Sequence, residues 1–299
     1  MNPIVECIPN FSDGRRQEVI ETIADTIRAV EGVRLLDYSS DHSHNRSVFS
    51  FIGSPEAVKE AAFAACSKAA ELIDMTKHKG EHPRMGATDV IPFVPIKDIS
   101  VEECIELSRE LGERIASKLS IPVFLYEDSA TRPERKNLAN IRKGQFEGMM
   151  EKIKDPEWAP DFGKSDIHPT AGVVAVGTRM PLIAYNINLD TSDIKIADKI
   201  AKLIRERGGG LRNVRAIGVM LEDRNLAQVS INMVNYEKTA LYRAFEMVKM
   251  EAKRYGVNIV GSEIVGLTPM QALIDTAEYY LQLENFDSNK QVLENYLLR

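Results

Sequence analysis

Two histidines four residues apart, His78 and His82, stand in the run IDMTKHKGEHPRMGATDVIPFVPI at 73–96, with Lys79, Glu81 and Arg84 as charged neighbours. A histidine ordinarily titrates at about 6.5, so it can take up and return a proton near neutral pH. Pro83 bars the residue before it from the α region and so holds His82 extended. Gly80 and Gly86 admit backbone angles that other residues resist. A titratable ring held this way is the strongest general acid–base candidate in the chain. The four-residue spacing also suggests a zinc-binding HExxH helix. That motif requires glutamate directly after the first histidine, where Lys79 stands, and a helix, which Gly80 and Pro83 oppose. No metal is expected.

Other chemistry is fainter. His42 and His44 lie in the polar segment SSDHSHNR and are expected at the surface, while Arg46 opens a strand and suits a bidentate carboxylate. Gly80 and Gly144 lack the strand-then-helix context of a nucleotide loop, and no GxSxG serine elbow occurs. The basic run Arg132, Arg135, Lys136, Arg142 and Lys143 reads as a solvated helix face, with a distant claim on substrate carboxylates.

The 73–96 segment must be a loop between packed elements. Before it come strands at 3–8, 33–38 and 47–52, a helix from Ser12–Asp13 to Val30, and an alanine-rich helix opened by Ser54–Pro55. After it, residues 90–96 read as a strand, although Pro92 and Pro95 mark it as an edge or a bulged one. Ser100 and Glu103 form a capping box for a helix to about Leu119, and 121–126 is a strand. Residues 155–172 have the composition of an ordered loop. The second half predicts a strand at 181–189, a helix from Thr191 to Arg207, strands at 214–221 and 226–234, and a helix from Glu237 to Tyr255. A strand at 257–265, a helix from Thr268–Pro269 and a last helix from about Lys290 to Leu298 complete it. Both halves read β-α-β-β-α-β, and the strand pairs 33–38/47–52 and 214–221/226–234 are joined too tightly for parallel crossovers. The expected class is α+β, two ferredoxin-like subdomains at 1–178 and 179–299 with a cleft between them.

The 299 residues are 44% hydrophobic and 27% charged, ordinary for a globular enzyme. A net charge of -6 without a basic stripe excludes nucleic acid as the expected partner. Cys7, Cys66 and Cys104 form no CxxC pair and read as buried free thiols. The N-terminus lacks a signal-peptide pattern and no run reaches the ~20 apolar residues of a membrane helix, so a cytoplasmic protein without membrane contact is expected.

Taken together, VECIPNFSDGR (5–15), NRSVFSFIGSPEAV (45–58), the 73–96 run, WAPDFG (158–163), LIAYNINL (182–189) and NLAQVSINM (225–233) resemble the glutamate formimidoyltransferase family, in order and over nearly the whole chain. The chain looks like the stand-alone form without the cyclodeaminase domain. The resemblance implies transfer of a formimidoyl group from 5-formimidoyltetrahydrofolate to L-glutamate, with tetrahydrofolate as co-substrate and a homodimer as the assembly. The family's catalytic histidine falls on His82. Its folate segment falls on Gly163, Lys164, Ser165, Asp166, Ile167, His168, Pro169, Thr170, Ala171 and Gly172. Arg46 and Arg84 are the expected anchors for glutamate's carboxylates, and Asp37, Asp41 or Glu263 the expected acceptors of amidinium-like charge. Ser39 stands where the family usually has an acid and Glu263 where it has a glutamine, both thought to lie beside the reacting group. Alternatives are formyl transfer from 5-formyltetrahydrofolate and a non-catalytic folate-binding protein.

Overall fold

The computed structural model describes residues 3–296, and the chain divides into two compact units after Arg179. The first holds β1 (Ile4–Cys7), β2 (Asn10–Phe11), α1 (Gln17–Arg28), β3 (Val33–Asp41), β4 (Arg46–Gly53), α2 (Pro55–Leu72) and β5 (Thr88–Lys97). It continues through α3 (Val101–Leu119), β6 (Val123–Glu127), α4 (Leu138–Arg142), α5 (Gln145–Lys152) and β7 (Val174–Thr178). Its seven strands form one sheet in the order β1-β4-β2-β5-β7-β6, with β3 on the far side of β4. β1 to β5 pair antiparallel, and β7 then joins β5 and β6 in parallel.

Period-2 alternation decides which side chains meet the helices. Phe49, Phe51, Ile91, Phe93, Val123, Leu125, Val174 and Val176 pack with α1, α2 and α3 in the main core. Arg46, Val48 and Ser50 alternate with Phe49 and Phe51, so they face the opposite side. There Val90, Phe124, Tyr126 and Ala175 meet Ile141, Met149 and Ile153 from α4, α5 and the residue after α5 in a smaller core. Ser54 accepts from Ala57 N at the start of α2, and Ser100 and Glu103 complete a capping box on α3, each cap contributing about 1 kcal/mol.

The second unit holds β8 (Ile183–Leu189), α6 (Ile194–Ile204), β9 (Val214–Leu221), β10 (Leu226–Met233), α7 (Leu241–Arg254), β11 (Ile259–Val265), α8 (Met270–Leu281) and α9 (Ser288–Gln291). Its four strands run β11-β8-β10-β9, all antiparallel. The molecule is thus a mixed α+β chain with two sheets, one in each unit.

Several elements differ from expectation. β5 is an interior strand rather than an edge, while its register shifts against β1 and β2 agree with the bulged alternative that Pro92 and Pro95 suggested. It meets two short strands, β1 and β2, whose pairing is interrupted at Ile8–Pro9. Ile8 N donates to Pro92 O at 3.2 Å, and the register shifts between Ile4 and Val5 where Pro95 pairs. β7 was not anticipated; it is buried throughout, as a parallel strand covered on both faces is. α6 starts at Ile194 because Asp193, rather than Thr191, accepts from Lys195 N, and residues 206–208 form a 3-10 turn. α7 starts at Leu241, after a turn that Asn235 closes by accepting from Lys238 N. The expected last helix is shorter, α9 being followed by a 3-10 turn at Leu293–Tyr296; Leu297 and Leu298 lie outside the described residues. All three cysteines are free and buried. Among the described residues, no helix is long and apolar enough to cross a membrane.

Candidate active site

The loop after α2 is fastened at both ends. Met75 N donates to Thr170 O at 2.8 Å, Ala87 N to Ala171 O at 2.9 Å and Val173 N to Met85 O at 3.2 Å, while Ser12 holds Gly86 O at 2.7 Å. Glycine is required at two close approaches. A Cβ at Gly80 would stand 2.4 Å from His44 O, and one at Gly86 would stand 2.1 Å from Val173 O. These bonds bring the histidine loop against residues 163–172, so two segments that the sequence marks separately lie together in the first unit. Within 163–172, His168 Nδ1 accepts from Thr170 N and Ala171 N, and His168 and Gly172 exchange backbone bonds at 3.0 Å. Gly172 takes φ +71, and Lys164, Ser165 and Asp166 project to solvent.

His82 is 9% exposed, and its Nε2 lies 3.1 Å from Arg46 Nη1. A guanidinium has no acceptor, so Nε2 must accept and the ring is the neutral tautomer protonated at Nδ1. Burial, and then the charges of Arg46 and Arg142, push the His82 pKa down to about 3. His78 carries its proton on the other nitrogen: Nδ1 accepts from Arg84 Nε at 3.1 Å, and Nε2 donates to Asn45 O at 3.0 Å. Its pKa is also lowered, first by burial. His42 and His44 are exposed, and the His44 ring lies 6.4 Å from that of His82.

Arg84, expected to meet substrate, is 5% exposed and fully engaged. Nη1 and Nη2 grip Glu147 at 2.9 and 2.7 Å, Nη1 also reaches Gln145 at 2.7 Å, and Nε serves His78. The same hydrogen bond holds the Glu147 carboxyl below its usual range. A substrate carboxylate would have to displace Glu147, so Arg84 fastens the loop to α5. Arg46 has no such competitor. On β3, Asp37, Ser39 and Asp41 pair with Ser50, Val48 and Arg46 respectively, placing Ser39 in an exposed polar row beside Arg46.

The basic run is a solvated face only in part: Lys136 and Lys143 are exposed, Arg132 and Arg142 are half-buried, and Arg135 is buried. Arg135 is 1% exposed, paired with Asp161 at 2.7 Å and donating to Ala159 O at 2.5 Å. Arg142 pairs with buried Asp89, which also accepts from Met85 N at 2.9 Å. Lys152, unmarked in the sequence, donates to Asn140 O, Ile141 O and Lys143 O at the C-terminus of α4 and lies over the Trp158 ring. Burial, then Lys143 and Arg135, push its pKa down to about 8. It secures the turn that carries Arg142.

Glu263 lies in the second unit on β11. Its Oε1 accepts from Asn186 at 3.2 Å and from Gln228 at 3.0 Å, and Gln228 also donates to Asn188 at 2.8 Å. Acid and amides thus form one polar network on that sheet. A cavity of about 430 Å³ in the same unit is lined by Tyr185, Tyr242, Phe245, Leu273, Tyr280 and Glu263, among others, with neither histidine nor cation.

Among known proteins, the N-terminal subdomain model of the formiminotransferase domain matches residues 4–179, and the formiminotransferase domain model matches 184–295. The chain is 65% identical over 298 residues to the glutamate formimidoyltransferase of Streptococcus pyogenes serotype M1, covering 100% of both. It is 51% identical to the protein of that name from Thermoplasma acidophilum, covering 95% of this chain and 94% of the other. Against the formimidoyltransferase-cyclodeaminase of Mus musculus identity is 47%, over 95% of this chain and 53% of that protein. The chain belongs to the formiminotransferase family.

Proposed function

We propose that this chain is a glutamate formimidoyltransferase, moving a formimidoyl group between 5-formimidoyltetrahydrofolate and L-glutamate with His82 as general acid–base. The observation that carries the reading is a buried, neutral histidine, fastened against residues 163–172, in a chain 65% identical to a protein of that name. Glutamate's amine is protonated near neutral pH and attacks only after losing a proton. His82 accepts that proton, the amine nitrogen bonds to the formimidoyl carbon, and a tetrahedral intermediate forms. Collapse breaks the bond to N5 of the folate, and the proton returns to that nitrogen.

In this reading Arg46 takes a glutamate carboxylate, residues 163–172 hold the folate, and Ser39 lies in the polar row beside Arg46. Arg84 is a positioning residue. The order β11-β8-β10-β9 and the matching run of β1 to β5 support ferredoxin-like units. No metal enters the reaction, and the protein acts in the cytoplasm as a homodimer.

The test is an assay of purified protein with tetrahydrofolate and N-formimidoyl-L-glutamate, followed by folate absorbance, with N-formyl-L-glutamate as the second donor. His82→Ala is expected to lower kcat by roughly 10²–10⁴-fold while tetrahydrofolate still binds. An unchanged rate removes His82 from the mechanism, and turnover of the formyl donor alone reassigns the group transferred.

A further inference from the structure

One guanidinium, Arg46, bonds the His82 ring and a second, Arg142, is near enough for its charge to act on it, and both have donors to spare. Arg46 uses Nη1 on the His82 ring, and its Nε is buried without a hydrogen-bond partner. Neither nearby acid serves it: Asp41 engages His44, and Asp89 engages Arg142 and Met85 N. Arg142 uses one Nη2 on Asp89, and its Nε is also buried and unpartnered. The two cations are near enough for Arg142 to weaken the charge on Arg46, and for both to weaken any charge on His82. Of the two acids near this pair, buried Asp89 is bonded to Arg142 and exposed Asp41 to His44, so Arg46 has no carboxylate bonded to it, a costly arrangement for a half-buried charge unless an anion completes it. Planar guanidiniums with free N–H groups match a carboxylate in shape and charge.

The same contact blocks the base. While Arg46 donates to Nε2, the lone pair that must receive the amine proton is occupied. We infer that Arg46 and Arg142 together form a carboxylate subsite whose occupation draws Arg46 off His82 and frees the ring nitrogen, so that the acceptor substrate activates its own base. This rests on the transfer reaction proposed above and adds Arg142 to it as a substrate-binding residue. The carboxylate accepts N–H bonds from both guanidiniums, the ammonium proton passes to Nε2, and the adjacent carboxylate offsets the imidazolium charge. The proton then leaves with the departing folate nitrogen, and Arg46 returns to the neutral ring.

The charged and titratable groups around His82 are Arg46 from β4, Arg142 from α4, His44 from the β3–β4 turn and His78 from its own loop, with Asp41 and Asp89 beside Arg46. Only the two arginines carry fixed positive charge, so an anion bound to them must raise the pH at which the ring takes a proton.

Glutarate, a dicarboxylate without an amine, is the probe, read by nitrogen NMR of histidine-labelled full-length protein. In the wild type, glutarate is expected to shift the His82 Nε2 resonance and move the ring's titration to higher pH. Arg142→Lys keeps a cation against Asp89 but loses the fork. It should weaken glutarate binding roughly 10- to 100-fold and raise KM for N-formimidoyl-L-glutamate by a similar factor, with kcat moving less. Lys136→Ala, at an exposed position in the same basic run, should match the wild type. An unmoved His82 resonance, or the same response at the same glutarate concentration in Arg142→Lys, overturns the subsite. If transfer to tetrahydrofolate proceeds while glutarate is silent, only the subsite falls. If glutarate acts as expected and no transfer occurs, the subsite stands and the proposed reaction falls.

Discussion

Acid should weaken the first unit through His82, and the size follows from its surroundings. The ring titrates at 6.5 when free and at about 3 in the folded chain. Unfolded chain therefore binds more protons than folded chain throughout that window. Stability contributed by the neutral ring is fully present above 6.5 and is lost as pH falls toward 3. Linkage gives a loss of about 2 kcal/mol between pH 7 and pH 5 from this one group. The comparison variant is His82→Gln, whose amide oxygen can still accept from Arg46 but does not titrate. Urea unfolding at pH 7 and pH 5, followed by a probe in the first unit, gives the difference between the two proteins at each pH. The remaining histidines are common to both proteins, so their contributions cancel to first order. Relative to His82→Gln, the wild type should lose about 2 kcal/mol on going to pH 5. A difference independent of pH would refute the claim that burial, and then Arg46 and Arg142, hold this ring neutral.

Two further perturbations test the framework around the site. Gly86→Ala places a Cβ 2.1 Å from Val173 O and 2.6 Å from Ala171 O, both backbone atoms that cannot rotate away. It should cost about 2–4 kcal/mol and weaken tetrahydrofolate binding as the loop parts from residues 163–172, read by thermal unfolding and folate titration. Arg135→Ala leaves the buried Asp161 carboxylate without its cation. A loss of about 3–5 kcal/mol is expected, seen as a lower urea midpoint, and a near-neutral result would mean that water replaces the guanidinium.

Much of this was legible in the sequence because local chemistry and tertiary role agree. Pro83 and the two glycines marked the histidine loop as sterically special, but Gly80 and Gly86 serve close approach to His44 O and Val173 O rather than the unusual backbone angles expected of them. The antiparallel hairpins β3–β4 and β9–β10 followed from short connections alone. β7 was missed because its valines follow a proline- and glycine-rich loop and show neither alternation nor helical period, the pattern of a strand buried on both faces. The prolines of β5 suggested an edge or a bulged strand; the register does shift against β1 and β2, but the strand lies inside the sheet because β1 and β2 are short and break at Ile8–Pro9.

The charged residues show the sharper limit. Arg84 and Arg46 are equivalent by sequence, each a lone arginine beside a histidine segment. Only the placement of Glu147, 63 residues further along, separates them: it fills one fork and leaves the other open. Arg135 and Arg142 look like surface charges because their partners, Asp161 and Asp89, lie 26 and 53 residues away. A buried cation is defined by its counter-charge, and a counter-charge distant in sequence leaves no periodic signature. Of the two cations in the proposed subsite, Arg142 has its acid and Arg46 has none bonded to it. Arg46, with a histidine where a carboxylate would ordinarily sit, is the residue on which the assignment of this site turns.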